Sequence, residues 1–193
     1  MKTLILGLVL FLGPHAVRIV ADEWRSQQIA RWGEKPWKAV FSLLSLLGLV
    51  LIGWGYGAVR LETTDLWVPP VWTRHLAALL TLPAFVLLAA AHVPGSRMKA
   101  QIGHPMLLGT LLWAVAHLLA NARVADLLLF GSFALWSALA FRAARRRDSR
   151  DGVIREGRAG RNAISALSGL VAWVAFAFWL HPLLIGVRPF GGA

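Results

Sequence analysis

The residues best equipped for chemistry are six histidines: His15, His75, His92, His104, His117 and His181. An imidazole can carry a proton, accept one or bind a metal. It is costly in hydrocarbon, so a histidine inside an apolar run is a functional hypothesis from the outset. Two of the six bracket one such run, "HPMLLGTLLWAVAHLLAN", at residues 104–121. On one helix His104 and His117 stand about 20 Å apart along the axis and point to different sides, so they cannot share a metal ion. Each must answer to partners on other helices.

His117 shares a helix face with Trp113 and Asn121, spaced i−4 and i+4. His15 has Phe11 one turn before it and Arg18 one turn after it, on the side of the nearer membrane surface. A bilayer histidine with such an arginine has the parts that a haem with propionates requires. The imidazole would be an axial ligand, and the guanidinium would pair with a carboxylate near the interface. A second reading stays open for every one of these histidines: a neutral imidazole can simply hydrogen-bond a carbonyl of a neighbouring helix.

Other site chemistries find little support. The chain has no cysteine, which excludes disulfides, thiolate-ligated haem, iron–sulfur clusters and a cysteine nucleophile. Neither His-x-x-x-His nor His-Glu-x-x-His occurs. Acidic residues are almost missing from the apolar runs, which argues against a carboxylate-rich di-metal site. Asp126 is read as a helix-start residue.

The elements that must position these side chains are membrane helices. Hydrophobic residues make up 58% of the 193, above the roughly 45–50% of a soluble domain. They gather in blocks near the length that crosses about 30 Å of hydrocarbon. Six spans are expected, at residues 4–21, 40–59, 75–93, 105–121, 124–141 and 163–187. The expected fold is a single all-α polytopic helix bundle. The first block also resembles a secretory signal peptide, but Arg18 interrupts the region where cleavage would fall.

The formal net charge of +11 is placed as a membrane protein places it. Three connections hold fifteen of the twenty lysines and arginines: 18–39, 94–104 and 142–162. The positive-inside rule puts these in the cytoplasm and both termini in the periplasm of a bacterial-type inner membrane. The arginine-rich third connection reads as a topology anchor or a dock for anionic lipid. Membrane lipids are the expected partners, and no segment resembles a nucleic-acid reader. Pro14 is expected to bend the first span, and Pro36 and Pro105 to open the second and fourth. The "GWGYG" stretch, with Gly53, Gly55 and Gly57, reads as close helix packing. Most of the ten tryptophans read as interfacial anchors, with Trp113 as a mid-span exception.

On the stretches "LGLVLFLGPHAVRI", "FSLLSLLGLVLIGWGYG", "HPMLLGTLLWAVAHLLAN", "LLLFGSFALW" and "WLHPLLIGVRPF" the chain resembles the NnrU family. Ala122-Arg123 departs from the Gly-Asp that commonly follows "HLLAN" there. The resemblance implies an inner-membrane protein linked to nitrite and nitric oxide metabolism in denitrification. The same domain is similar to the core of the 15-cis-zeta-carotene isomerases, which implies haem b with axial histidines and isomerisation of a lipophilic polyene. By position it selects His15 and His117 as ligands, with Arg18, Trp113 and Asn121 as neighbours. His104, His75 and His181 remain as second-rank candidates; His181-Pro182 echoes His104-Pro105. A haem protein of this kind would need a redox partner, which the sequence does not identify. The competing expectation, from another class, is a transporter or assembly factor with no cofactor.

Overall fold

The computed structural model describes residues 1–190, and its regular structure there is helical. The helices are α1 (Lys2–Val20), α2 (Asp22–Trp32), α3 (Glu34–Val59), α4 (Val71–His92), α5 (Arg97–Ile102), α6 (Pro105–Ala120), α7 (Val124–Arg150) and α8 (Gly160–Ala175). A π-helical turn, Phe176–Leu180, continues α8 into α9 (His181–Ile185). Five segments are long and apolar enough to cross a membrane: α1, α3, α4, α7 and the combined Gly160–Ile185. The remaining expected span, α6, is shorter. Its 16 residues rise about 24 Å, less than the hydrocarbon thickness. It packs between α4 and α7.

Side by side, the spanning helices run in the order α3, α1, α7, α6, α4, α8. Apolar side chains cover the outside, among them Leu43, Leu46, Val50 and Trp54 of α3. That is the distribution a lipid solvent favours. Lipid gives no hydrophobic drive between helices, so close approach of small residues must hold them together. Gly48 and Gly55 of α3 show this. A Cβ at Gly48 would stand 2.6 Å from the Phe11 nitrogen, and one at Gly55 would stand 2.5 Å from that of Leu4. Of the "GWGYG" glycines only Gly55 is at this contact; Gly53 and Gly57 face open space. These two contacts fix the register of α1 on α3, and with it the level of His15.

The boundaries differ from the expected spans where polar residues extend helices. The connection between the first two spans is itself a helix, α2, with Asp22 and Glu23 in its first turn and Arg31 in its last. That charge order suits the helix dipole. Helix α3 therefore starts at Glu34 rather than residue 40, and Pro36 falls in its first turn. Helix α4 starts at Val71, which moves His75 inside it. Helix α7 runs past residue 141 to Arg150. Its last turns project the arginines beyond the apolar part, as long good helix formers do. Pro105 is at the first position of α6, as expected. Pro14 and Pro83 lie within α1 and α4.

Candidate functional site

His15 stands where α1, α3 and α7 meet. Its ring is stacked on Phe11 at 4.5 Å and lies 4.7 Å from Phe41. Trp136 meets it edge-on at 5.7 Å. Its Nδ1 lies 2.6 Å from the carbonyl oxygen of Phe11, one turn back. A carbonyl can only accept, so Nδ1 is the donor here. Among the described residues no hydrogen bond reaches Nε2. The indole Nε1 of Trp136 is buried and has no hydrogen-bond partner among them either. A buried donor left unpaired costs free energy and is uncommon.

One turn nearer the arginine-rich surface, a groove between α1–α2 and α7 encloses about 450 Å³. Arg18, Arg142, Arg146, Arg147 and Arg150 line it, with Ile19, Leu139 and Ala143 among them. Asp22 is the one carboxylate in its wall. Arg147 donates through Nη1 to the Arg18 carbonyl at 2.9 Å, tying α7 to the end of α1. An apolar level with a free imidazole nitrogen and an unpaired indole N–H thus lies directly above a cluster of guanidiniums.

The second histidine level is in the other half of the bundle. His117 Nδ1 donates to the Trp113 carbonyl at 2.8 Å. Its ring stacks on Phe130 at 4.6 Å and lies 5.0 Å from Trp113. Asn121 donates through Nδ2 to the His117 carbonyl at 2.8 Å. Trp113 and His117 lie one turn apart with their rings in contact, whereas Asn121 falls just past α6 in extended backbone and caps it through its side chain. One turn from Phe130 along α7, Asp126 is 4% exposed. It accepts from Tyr56 Oη at 2.6 Å and from the Arg123 backbone at 3.0 Å. It is the helix-start residue expected, with a second tie that spacing could not reveal. Arg123 in turn binds Asp65 at 2.7 Å.

These two levels do not converge. Between the rings of His15 and His117 stand Phe11, Phe133 and Trp113, in successive contacts of 5.7 Å. The α7 neighbours of the two histidines, Trp136 and Phe130, are six residues apart, about 9 Å of helix rise. Two imidazoles on one metal ion need their nitrogens about 4 Å apart, twice a bond of about 2 Å. In this arrangement His15 and His117 do not hold one iron between them. At its own level His15 offers a single imidazole, packed between Phe11, Phe41 and Trp136, with the guanidiniums of the groove one turn away.

Three of the other histidines are bonded elsewhere. His104 Nε2 is 2.9 Å from Asp148 Oδ2, and Arg155 binds both oxygens of Asp148, at 2.7 and 2.8 Å. Asp148 lies in the polar end of α7, beyond its apolar part. The Arg155 guanidinium, and His104 after it, hold its carboxyl down at about 2. Near this cluster the connection before α5 is pinned to that before α8, through Arg158 N to the Gly95 carbonyl at 2.9 Å. His181 donates through Nδ1 to Val187 at 2.7 Å, and His92 to Leu88 at 2.9 Å. His75 is exposed on α4. Among the described residues no three His, Asp or Glu side chains converge on a bare metal ion. Trp136, Tyr56 and Asp22 were not singled out by spacing. The one available signal was that Tyr56 is the chain's sole tyrosine.

A family model described as NnrU protein matches residues 3–189. No curated protein and no solved structure matches the chain.

Proposed function

The chain belongs to the NnrU family, and from that premise we propose that it is an inner-membrane haem b protein with His15 as its axial ligand. The observation that carries this reading is the edge-on packing of His15 against Trp136, whose indole N–H has no partner among the described residues, one turn from the arginine groove. Haem held there would supply a one-electron redox change and an open coordination position. The chain's own residues do the rest. Phe11 fixes the tautomer of His15 through its carbonyl and supports the ring by stacking. Trp136 offers an N–H to whatever polar atom enters beside it. Arg18 and the α7 arginines take carboxylates at the membrane surface.

Two roles suit such a site: redox chemistry linked to nitrite and nitric oxide in denitrification, or isomerisation of a lipophilic polyene that enters from the bilayer. Charge placement favours an orientation with the groove in the cytoplasmic leaflet and both termini in the periplasm. His117 is a separate site in this reading rather than the second axial ligand. An absorbance spectrum of the protein purified in detergent and supplied with haem tests the proposal. A Soret band that shifts on dithionite and vanishes in His15→Ala supports it. A colourless, iron-free protein that takes up no haem overturns it and leaves a transporter or assembly factor.

A further inference from the structure

Asp22 holds an unusual position in the arginine groove. Its Oδ1 is 3.7 Å from Arg18 Nε and its Oδ2 is 3.9 Å from Arg147 Nε. Both are ion pairs by distance, but neither is a hydrogen bond. The carboxylate thus rests between two guanidiniums without being locked to either. On the same wall Arg142 and Arg146 lie one helical turn apart, and among the described residues neither has a carboxylate partner. Like charges at that spacing repel. The groove therefore divides into an open pair, Arg142 with Arg146, and a second pair, Arg18 with Arg147, filled from within by the chain.

We propose that Asp22 is an internal stand-in for the second acidic group of a ligand that carries two acidic groups on an apolar body. The inference deepens the reading of this groove as the place where an anionic amphiphile is held, and it rests on that reading. A ligand with one acidic group is held by the open pair and leaves Asp22 in place. A ligand with two must displace Asp22 from Arg18 and Arg147. Asp22 then sets the affinity for two-acid ligands and hardly touches that for one-acid ligands. Two sources share this chemistry, a porphyrin dicarboxylate and a phospholipid with two phosphates.

The test uses the full-length protein in neutral detergent and metal-free protoporphyrin, so that no step depends on axial ligation. Binding is read by porphyrin fluorescence for the diacid, its monomethyl ester and its dimethyl ester. Asp22→Asn should tighten the diacid about five-fold, the scale of one screened charge at such a distance, and leave the monoester nearly unchanged. Equal tightening of both would reduce Asp22 to a diffuse charge, and an unchanged or weakened diacid would refute the stand-in. Asp22→Ser keeps a side-chain oxygen at the start of α2 and must give the same pattern, which guards against a folding artefact in one variant. Cardiolipin and phosphatidylglycerol, added as competitors, separate the sources. If only cardiolipin displaces, and does so more strongly in Asp22→Asn, the ligand is a lipid and the stand-in survives. No Soret band in the wild type would then remove the haem reading alone. If no two-acid probe binds the wild type or either variant, the inference falls.

Discussion

The levels of His15 and His117 are built on the same local device and differ in everything around it. Each histidine donates Nδ1 to its own i−4 carbonyl, and each is walled by a stacked phenylalanine. At His117 the neighbouring polar groups are closed on one another: Tyr56 on Asp126, Asp126 on the Arg123 backbone, Arg123 on Asp65. Near His15 they are open: among the described residues the Trp136 indole has no hydrogen-bond partner, and in the groove one turn on Arg142 and Arg146 have no carboxylate partner. Satisfied buried networks rigidify a fold, whereas unsatisfied groups call for an explanation. The comparison teaches that histidine placement alone does not mark a site. What distinguishes the two levels is whether the polar groups around the ring already have partners.

The sharpest way to break this contrast is to delete each imidazole. His15→Ala should abolish the Soret band of haem-supplied protein, while His117→Ala should retain it. The reverse outcome would place the ligand in the other half of the bundle. Next in size, Asp126→Ala should destabilise the protein by about 2 kcal/mol, because it strands the Tyr56 hydroxyl and a backbone N–H in a buried place. Tyr56→Phe should cost less, about 1 kcal/mol. Both are measured by reversible unfolding in mixed micelles. If Asp126→Ala unfolds at the wild-type midpoint, the closed network is not a stabilising one.

A smaller effect is expected at Trp136. Replacement by Phe removes the unpaired donor together with part of the ring, so the haem-free protein should lose only the modest packing term of a smaller aromatic, about 1 kcal/mol. Haem dissociation, followed by transfer to a scavenger protein, should become a few-fold faster. A haem off-rate equal to that of the wild type would show that the indole N–H plays no part in holding the ligand.

The smallest effect concerns the clasp at His104. The Asp148 carboxyl is lowered from an ordinary 3.8 to about 2. A depressed folded-state value stabilises above the unfolded value and is lost as pH falls through the folded one. The clasp should therefore hold above about pH 4 and loosen toward pH 2. Amide exchange at Arg97 and Arg158 should rise over that window, and in Asp148→Asn it should already be raised at neutral pH. A wild-type clasp that stays protected below pH 2 would contradict the assignment.

Much of the architecture was legible in the residues. Blocks of apolar side chains announce the spans because hydrocarbon accepts little else over that length. The arginine of "PHAVR" sits one turn from its histidine on any α-helix. Helix α2 was less legible, since an interfacial helix need not be apolar throughout and its eleven residues look like a polar loop. Trp136 was hidden among ten tryptophans, and only its position against His15 separates it from the anchors.

By itself, the sequence determined that the chain is a helical membrane protein, where its cations gather, and that Trp113 and His117 share a face. These follow from transfer free energy and from the 3.6-residue period, both local properties. Only the tertiary structure decided that three aromatic rings, Phe11, Phe133 and Trp113, link the level of His15 to that of His117. It alone set Tyr56 on Asp126 and Asp22 between Arg18 and Arg147. Each of those distances joins different helices, and so depends on helix register. The close backbone contacts at Gly48 and Gly55 set that register for α1 and α3. No periodicity within one helix encodes the level at which it meets another.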